Sequence, residues 1–178
     1  MNTSTDKIGN AMKLNKNICS NNCDERKEGA EIDMIIIHAM AMDIKDALEL
    51  LCDECPSGDH GAVSAHYVID HDGTIYELVS PLKRAWHAGA SHWDGRDNLN
   101  HYSIGIELLN KDINNGEFFN KPFEDTQIEA LIKLIEALKQ EFPIKNKYIL
   151  GHQHVAPSRK TDPGPMFPWD KIRHTFKP

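Results

Sequence analysis

Hydrophobic and polar positions divide the chain into a small number of legible segments. Ile32 to Ile37 is mostly apolar and β-branched, which predicts a buried central strand, and the run stops at His38. From Asp43 to about Cys52, apolar residues fall at Ile44, Ala47, Leu48 and Leu51, the spacing of one helical face, and Pro56 with Gly58 ends that helix. Tyr67 to Ile69 and Thr74 to Val79 flank Asp72-Gly73, a strong turn signal, so a hairpin is expected with His71 in its exposed turn. Ser103 to Leu109 reads as a further strand that carries Glu107 among apolar neighbours, where a charge requires a reason. Between Thr126 and about Phe142, Ile128, Leu131, Ile132, Ile135 and Leu138 recur at helical spacing, and Thr126 with Glu129 predicts a capping box. A short strand, Tyr148 to Leu150, runs into Gly151-His152. The loop Val155 to Pro168 follows with four of the nine prolines, whose fixed φ stiffens the backbone around any ligand it holds.

Strands interleaved with helices, with at least one hairpin, predict an α/β or α+β fold: a central mixed β-sheet flanked by helices. Residues 1–30 are rich in Asn, Ser, Lys and Asp with little apolar periodicity, so an irregular lead-in is expected there and a single domain over residues 31–178. A length of 178 residues suffices to close one core without a staple.

Composition narrows the classes. Hydrophobic residues make up 40% and charged residues 26%, a soluble globular balance, and no apolar run is long enough to span a bilayer. The formal charge of −7 disfavours nucleic acid and anionic membranes as partners, and a monomer is expected. The opening segment has no apolar signal region, so the cytoplasm is the expected compartment as given, with the periplasm or secretion as the alternative if a signal was removed. Four cysteines fall in two close pairs, Cys19 with Cys23 and Cys52 with Cys55, open to three readings: chance, a disulfide or redox pair, or a second zinc site.

Ten histidines is a high count, and position must discriminate among them. His38 and His152 each end an apolar strand, the place where open sheets put their sites, and Asp162 lies ten residues past His152 in the proline-stiffened loop. Two imidazoles and a carboxylate form a three-ligand Zn2+ set with a fourth position left for water. On pattern alone, a sheet-edge salt bridge is the favoured reading of Glu107 and a solvated loop charge that of Lys160.

The motifs around these residues add to the picture. Ile36-Ile37-His38, Val63-Ser64-Ala65-His66, Arg84-Ala85-Trp86-His87-Ala88-Gly89, Ser103-Ile104-Gly105-Ile106-Glu107-Leu108, Gly151-His152 and Arg159-Lys160-Thr161-Asp162-Pro163-Gly164-Pro165 occur in one order. Together they closely resemble the type 2 N-acetylmuramoyl-L-alanine amidases, relatives of phage lysozyme-type amidases and peptidoglycan recognition proteins, over roughly residues 31–172. The resemblance implies the fold of that family and one Zn2+ per chain bound by His38, His152 and Asp162. It implies Glu107 as catalytic acid/base and Lys160 as stabiliser of the oxyanion, with His66 facing the substrate cleft rather than the core edge, and Trp86 and His87 shaping the cleft or packing beneath it. It also implies the reaction, hydrolysis of the amide between N-acetylmuramic acid and L-alanine in peptidoglycan or muropeptides. A metal-free receptor on the same fold is the rival from another class, and such receptors lose a zinc ligand that this chain retains.

Several positions depart from the family pattern. Ala65 replaces a tyrosine that assists catalysis in some relatives. His154 stands where many carry Asp, either altering the surroundings of the metal or adding an imidazole near it. Ala62 and Asn98 fall where recycling enzymes often carry arginines, while Ser20 to Arg26 looks like the lead-in of the envelope branch.

Overall fold

The computed structural model describes residues 12–54, 61–110 and 121–176. Cys55 and the expected helix break at Pro56 and Gly58 lie outside them. In chain order the elements are β1 (Leu14–Asn15), β2 (Cys23–Asp24), β3 (Met34–Met40), α1 (Ile44–Cys52), β4 (Tyr67–Ile69), β5 (Ile75–Glu77), β6 (Arg84–Ala85), β7 (His92–Trp93), β8 (Arg96–Asp97), β9 (Ser103–Leu109), α2 (Asp125–Glu141), β10 (Ile149–Gly151), α3 (His152–Val155) and α4 (Trp169–Thr175).

Six strands form one mixed sheet in the order β1-β5-β4-β9-β3-β10, parallel throughout except for the β4/β5 hairpin. The expected hairpin at Asp72-Gly73 and the expected mixed sheet are both present. Alternation along the central strands explains the two layers. Ile35, Ile37, Ile104, Ile106 and Leu108 face α2, whose Ile128, Leu131, Leu134, Ile135 and Leu138 complete the main core. Each such side chain, fully buried, contributes roughly 1.5–3 kcal/mol.

The opposite face carries the site. There Met34 and Ile36 join one small apolar cluster with Ala88, Leu99 and Val155, while Met40, Val68 and Leu109 join another with Ala47 and Leu51 of α1. His38 and Glu107, register partners across β3 and β9, interrupt the apolar series between these clusters. Directly paired residues of adjacent strands project to the same side, so both side chains emerge on the face that α2 does not cover.

Some expectations change. β3 does not end at His38 but continues through Ala39 and Met40, all of them buried. The strand can pass through a histidine because neighbouring side chains satisfy its ring. The capping box on α2 is not formed: the helix starts at Asp125 after Glu124, and Thr126 Oγ1 instead donates to the His71 carbonyl at 2.7 Å. On α1 the cap is real, with Asp43 Oδ1 accepting from the Asp46 amide at 3.1 Å, an arrangement that stabilises by about 1 kcal/mol.

From Met12 onward the lead-in is more ordered than its composition suggests. β1 adds to the sheet edge beside β5, and β2 pairs with β6. Its polar side chains bind backbone carbonyls of the domain. Asn22, buried, donates to the carbonyls of Asp53 at 2.8 Å and Val63 at 2.9 Å, and Ser20 Oγ donates to that of Leu51. Arg26 donates to the carbonyls of Pro81, Asn100 and Ser103. Hydrophobic patterning is blind to this kind of packing. Among the described residues, no helix is long and apolar enough to cross a membrane.

Candidate metal centre

Three segments converge on one point. His38 comes from the middle of β3, His152 from the first residue of α3 directly after β10, and Asp162 from the following loop. β10 pairs with β3 so that Gly151 faces Ile37, which brings His152 beside His38. The loop is pinned by backbone bonds, Gln153 N–H to the Asp162 carbonyl at 2.9 Å and Lys160 N–H to that of Ala156 at 3.1 Å. Arg159 fastens it to the carbonyls of Ala88 and Ala90.

The three donor atoms form a small triangle. His38 Nδ1 and His152 Nδ1 are 3.0 Å apart, and Asp162 Oδ2 lies 3.3 Å from the first and 3.1 Å from the second. A tetrahedral ion with bonds of about 2.0–2.1 Å needs donors roughly 3.3 Å apart, so the triangle fits zinc closely. His152 Nε2–H donates to the Ala88 carbonyl at 3.1 Å, which leaves Nδ1 as the ring's free lone pair. Among the described residues, this is the one group of His, Cys, Asp and Glu side chains close enough to hold a metal. Cys19, Cys23 and Cys52 are free thiols and belong to no such group among those residues, while Cys55 lies outside them.

Electrostatics suit metal binding. Burial lowers the pKa of His38 to about 4 against the opposing pull of Asp162, which keeps the imidazole neutral and able to ligate. Burial would raise Asp162, but its close approach to the imidazoles of His152 and His38 outweighs that and holds the carboxylate below its ordinary range.

Glu107 stands beside the triangle without belonging to it. Its Oε1 is 3.9 Å from His38 Nδ1, and its Oε2 is buried with no hydrogen-bond partner among the described residues. Burial, reinforced by the charge of Asp162 and opposed by that of Lys160, pushes its pKa well above the ordinary carboxylate value. Among the described residues its oxygens meet no Lys or Arg, which leaves the salt-bridge reading of Glu107 without a cationic partner other than His38. His38, Glu107, His152, Lys160 and Asp162 line one cavity of about 460 Å3 together with Trp86, His87, Ser64 and the apolar wall Met42, Leu51 and Val63. A larger cavity of about 580 Å3 lies behind β10 and contains none of these residues.

Two histidines are not where the sequence puts them. His66 does not face the cleft: it is wholly buried, its Nδ1 accepting from the Gly105 amide at 2.9 Å and its Nε2–H donating to the Lys83 carbonyl at 3.1 Å. His154 turns away from the metal ligands, accepting from the Gly151 amide at 2.9 Å and packing on Trp169. Arg26, Ser103 and Gly105 support the site yet carry no sequence signal beyond their motif neighbours.

Burial, assisted by the Arg26 charge, lowers the pKa of His66 to about 3. Above pH ~6.5 the group contributes no pH dependence. As pH falls from there toward 3, the unfolded chain binds a proton that the folded state refuses, so stability drops by about 1.4 kcal/mol per pH unit. Denaturant titrations of wild type and His66→Asn at several pH values should therefore differ in slope by close to one proton in that window. Equal slopes would place the ionisation elsewhere.

Known proteins share the sequence pattern and the fold. The sequence profile of the N-acetylmuramoyl-L-alanine amidase family, Amidase_2, matches residues 28–165. The chain is 38% identical over 150 residues to the N-acetylmuramoyl-L-alanine amidase AmiD of Escherichia coli K12, covering 79% of this chain and 52% of that protein. It is 43% identical over 114 residues to the 1,6-anhydro-N-acetylmuramyl-L-alanine amidase AmpD of the same organism, covering 64% and 58%. The chain thus spans between about half and three-fifths of the length of these curated relatives. A solved structure of a selenomethionine AmpD derivative superposes with a TM-score of 0.78 at 30% identity, over 92% of this chain and 93% of that one. A complex of AmiD from E. coli with the substrate anhydro-N-acetylmuramic acid-L-Ala-D-gamma-Glu-L-Lys superposes with a TM-score of 0.72 at 33% identity, over 88% and 66%. With its fold shared across nearly all of a solved relative and its sequence matched from residue 28 to 165, this chain belongs to the type 2 N-acetylmuramoyl-L-alanine amidase family.

Proposed function

We propose that the chain is a zinc hydrolase that cuts the amide between the lactyl group of N-acetylmuramic acid and L-alanine in muropeptides or peptidoglycan. One observation carries the reading: a donor triangle of zinc dimensions lies beside a carboxyl group that has one buried oxygen unpaired among the described residues, in the lining of an open cavity. The relatives' names give the bond, and the AmiD complex supports a muropeptide as occupant of the cavity.

His38 Nδ1, His152 Nδ1 and Asp162 Oδ2 would hold the ion. Bound there, zinc would supply Lewis acidity, polarising the scissile carbonyl and lowering the pKa of water toward ~7. Glu107 takes up the proton of the attacking water and delivers it to the alanine nitrogen, which leaves poorly as an anion. Its raised pKa suits that task, because a carboxyl that holds a proton near neutral pH can also give one up. Lys160 faces the same cavity, and its cation opposes the negative charge that grows on the carbonyl oxygen.

Purified protein with a defined anhydromuropeptide tests the reading. Free stem peptide should be released, release should stop with a chelator, and added Zn2+ should restore it. Binding that survives chelation with no peptide released would overturn hydrolysis in favour of a receptor.

A further inference from the structure

His87 lines the cavity but also lies against the sheet, and its ring is fixed at both nitrogens. Its Nδ1 is 3.0 Å from His38 Nε2, its Nε2 is 3.3 Å from Ser103 Oγ, and Ser103 Oγ is 2.7 Å from the Leu99 carbonyl. These contacts have only one consistent direction. A carbonyl only accepts, so the Ser103 hydroxyl donates to Leu99 and its oxygen is left to accept. His87 must then donate from Nε2, and in the neutral ring its Nδ1 becomes an acceptor. His38 therefore carries its proton on Nε2, which leaves the Nδ1 lone pair facing His152 and Asp162.

The seat for this ring is built into the strand. Ser103, Gly105 and Glu107 follow one another on one side of β9, beside Met34, Ile36 and His38 of β3. A Cβ on Gly105 would lie 2.3 Å from His87 Cγ, so only glycine lets the imidazole bridge from Ser103 to His38. The backbone on either side is held as well: Trp86 N–H donates to Ser64 Oγ at 2.8 Å, and Ala88 N–H donates to Asn100 Oδ1 at 2.8 Å. The next carbonyl, that of Ala88, accepts the proton of His152 Nε2.

We propose that His87 is a positioning residue: through His38 it holds the metal-facing Nδ1 bare, and with the Ala88 carbonyl it lets one short segment set the tautomer of both metal-binding imidazoles. This role rests on the zinc reading given above. It goes beyond a place in the substrate cleft, because it acts on the protein's own ligand whether or not a substrate is present.

Zinc dissociation constants measured by competition with a chromophoric chelator, on wild type, His87→Phe and His87→Asn, decide the matter. Phenylalanine keeps a ring but offers no acceptor, whereas the asparagine amide oxygen can occupy the place of Nδ1. His87→Phe is expected to bind zinc ~10–100-fold more weakly, the usual effect of losing an outer partner of a ligand. His87→Asn should recover most of that affinity. Equal affinity in wild type and His87→Phe would overturn the role. So would two variants that bind zinc equally weakly and melt equally early without metal, since that pattern marks a packing residue. A wild-type protein that takes up no zinc would instead overturn the hydrolase reading on which the role stands.

Discussion

Glu107→Gln is expected to slow muropeptide hydrolysis by about 10²–10⁴-fold while zinc remains bound at wild-type stoichiometry. The amide matches the carboxylate in shape and leaves the packing between β3 and β9 intact, but it cannot take up or release the proton that the alanine nitrogen requires. Glu107 lies outside the donor triangle, so its loss leaves the three ligands untouched. Rates of stem-peptide release and zinc content on the same sample check both halves. Retained turnover would refute the acid/base role, and loss of zinc would make Glu107 a ligand.

His152→Ala is expected to do the reverse, failing first at the metal. Removing one of three protein donors should weaken zinc binding by at least ~10²–10³-fold, given that a few ligands share a binding energy of about 10–16 kcal/mol in small zinc domains. Turnover should fall to background with the metal. The fold should survive, because the Ala88 carbonyl keeps a donor in Arg159 and β10 stays paired with β3. Zinc content after gel filtration, read beside a circular dichroism spectrum, separates metal loss from unfolding. A folded variant that keeps its zinc would remove His152 from the ligand set. The two substitutions together distinguish a group that holds the ion from one that moves a proton beside it.

Where apolar residues set the structure, the sequence was a reliable guide. β9, the Asp72-Gly73 hairpin and the long helix α2 stand where period-2 and period-3.6 patterns put them, because burial of one face or both is what those patterns encode. The candidate metal ligands were legible for a different reason: His38, His152 and Asp162 sit inside motifs whose order is distinctive, and the structure brings their donor atoms together.

Polar packing was the part that patterning missed. The strand run through His38 looked finished because an imidazole normally ends an apolar series. Here a neighbouring ring and a carboxylate make a polar island in which the strand continues. His66 looked like a cleft residue from its motif, yet its two nitrogens bind the backbone of β9 and of Lys83. His154 replaces an acidic residue of the family pattern and faces Trp169, so the substitution leaves the ligand set alone. Thr126 had the spacing of a helix cap, but the hairpin turn competed for its hydroxyl.

The strap made by Asn22 reaches further than its size suggests. One amide ties Asp53 to Val63, with Leu51 and Val63 forming part of the cavity wall, and it does so from a position upstream of the region matched to the family. The breadth of the cleft on that side is thus coupled to the opening segment, which reaches the cavity wall through one buried side chain. A substitution at Asn22 acts on the shape of that wall from a distance, leaving the three donor atoms of His38, His152 and Asp162 where they are.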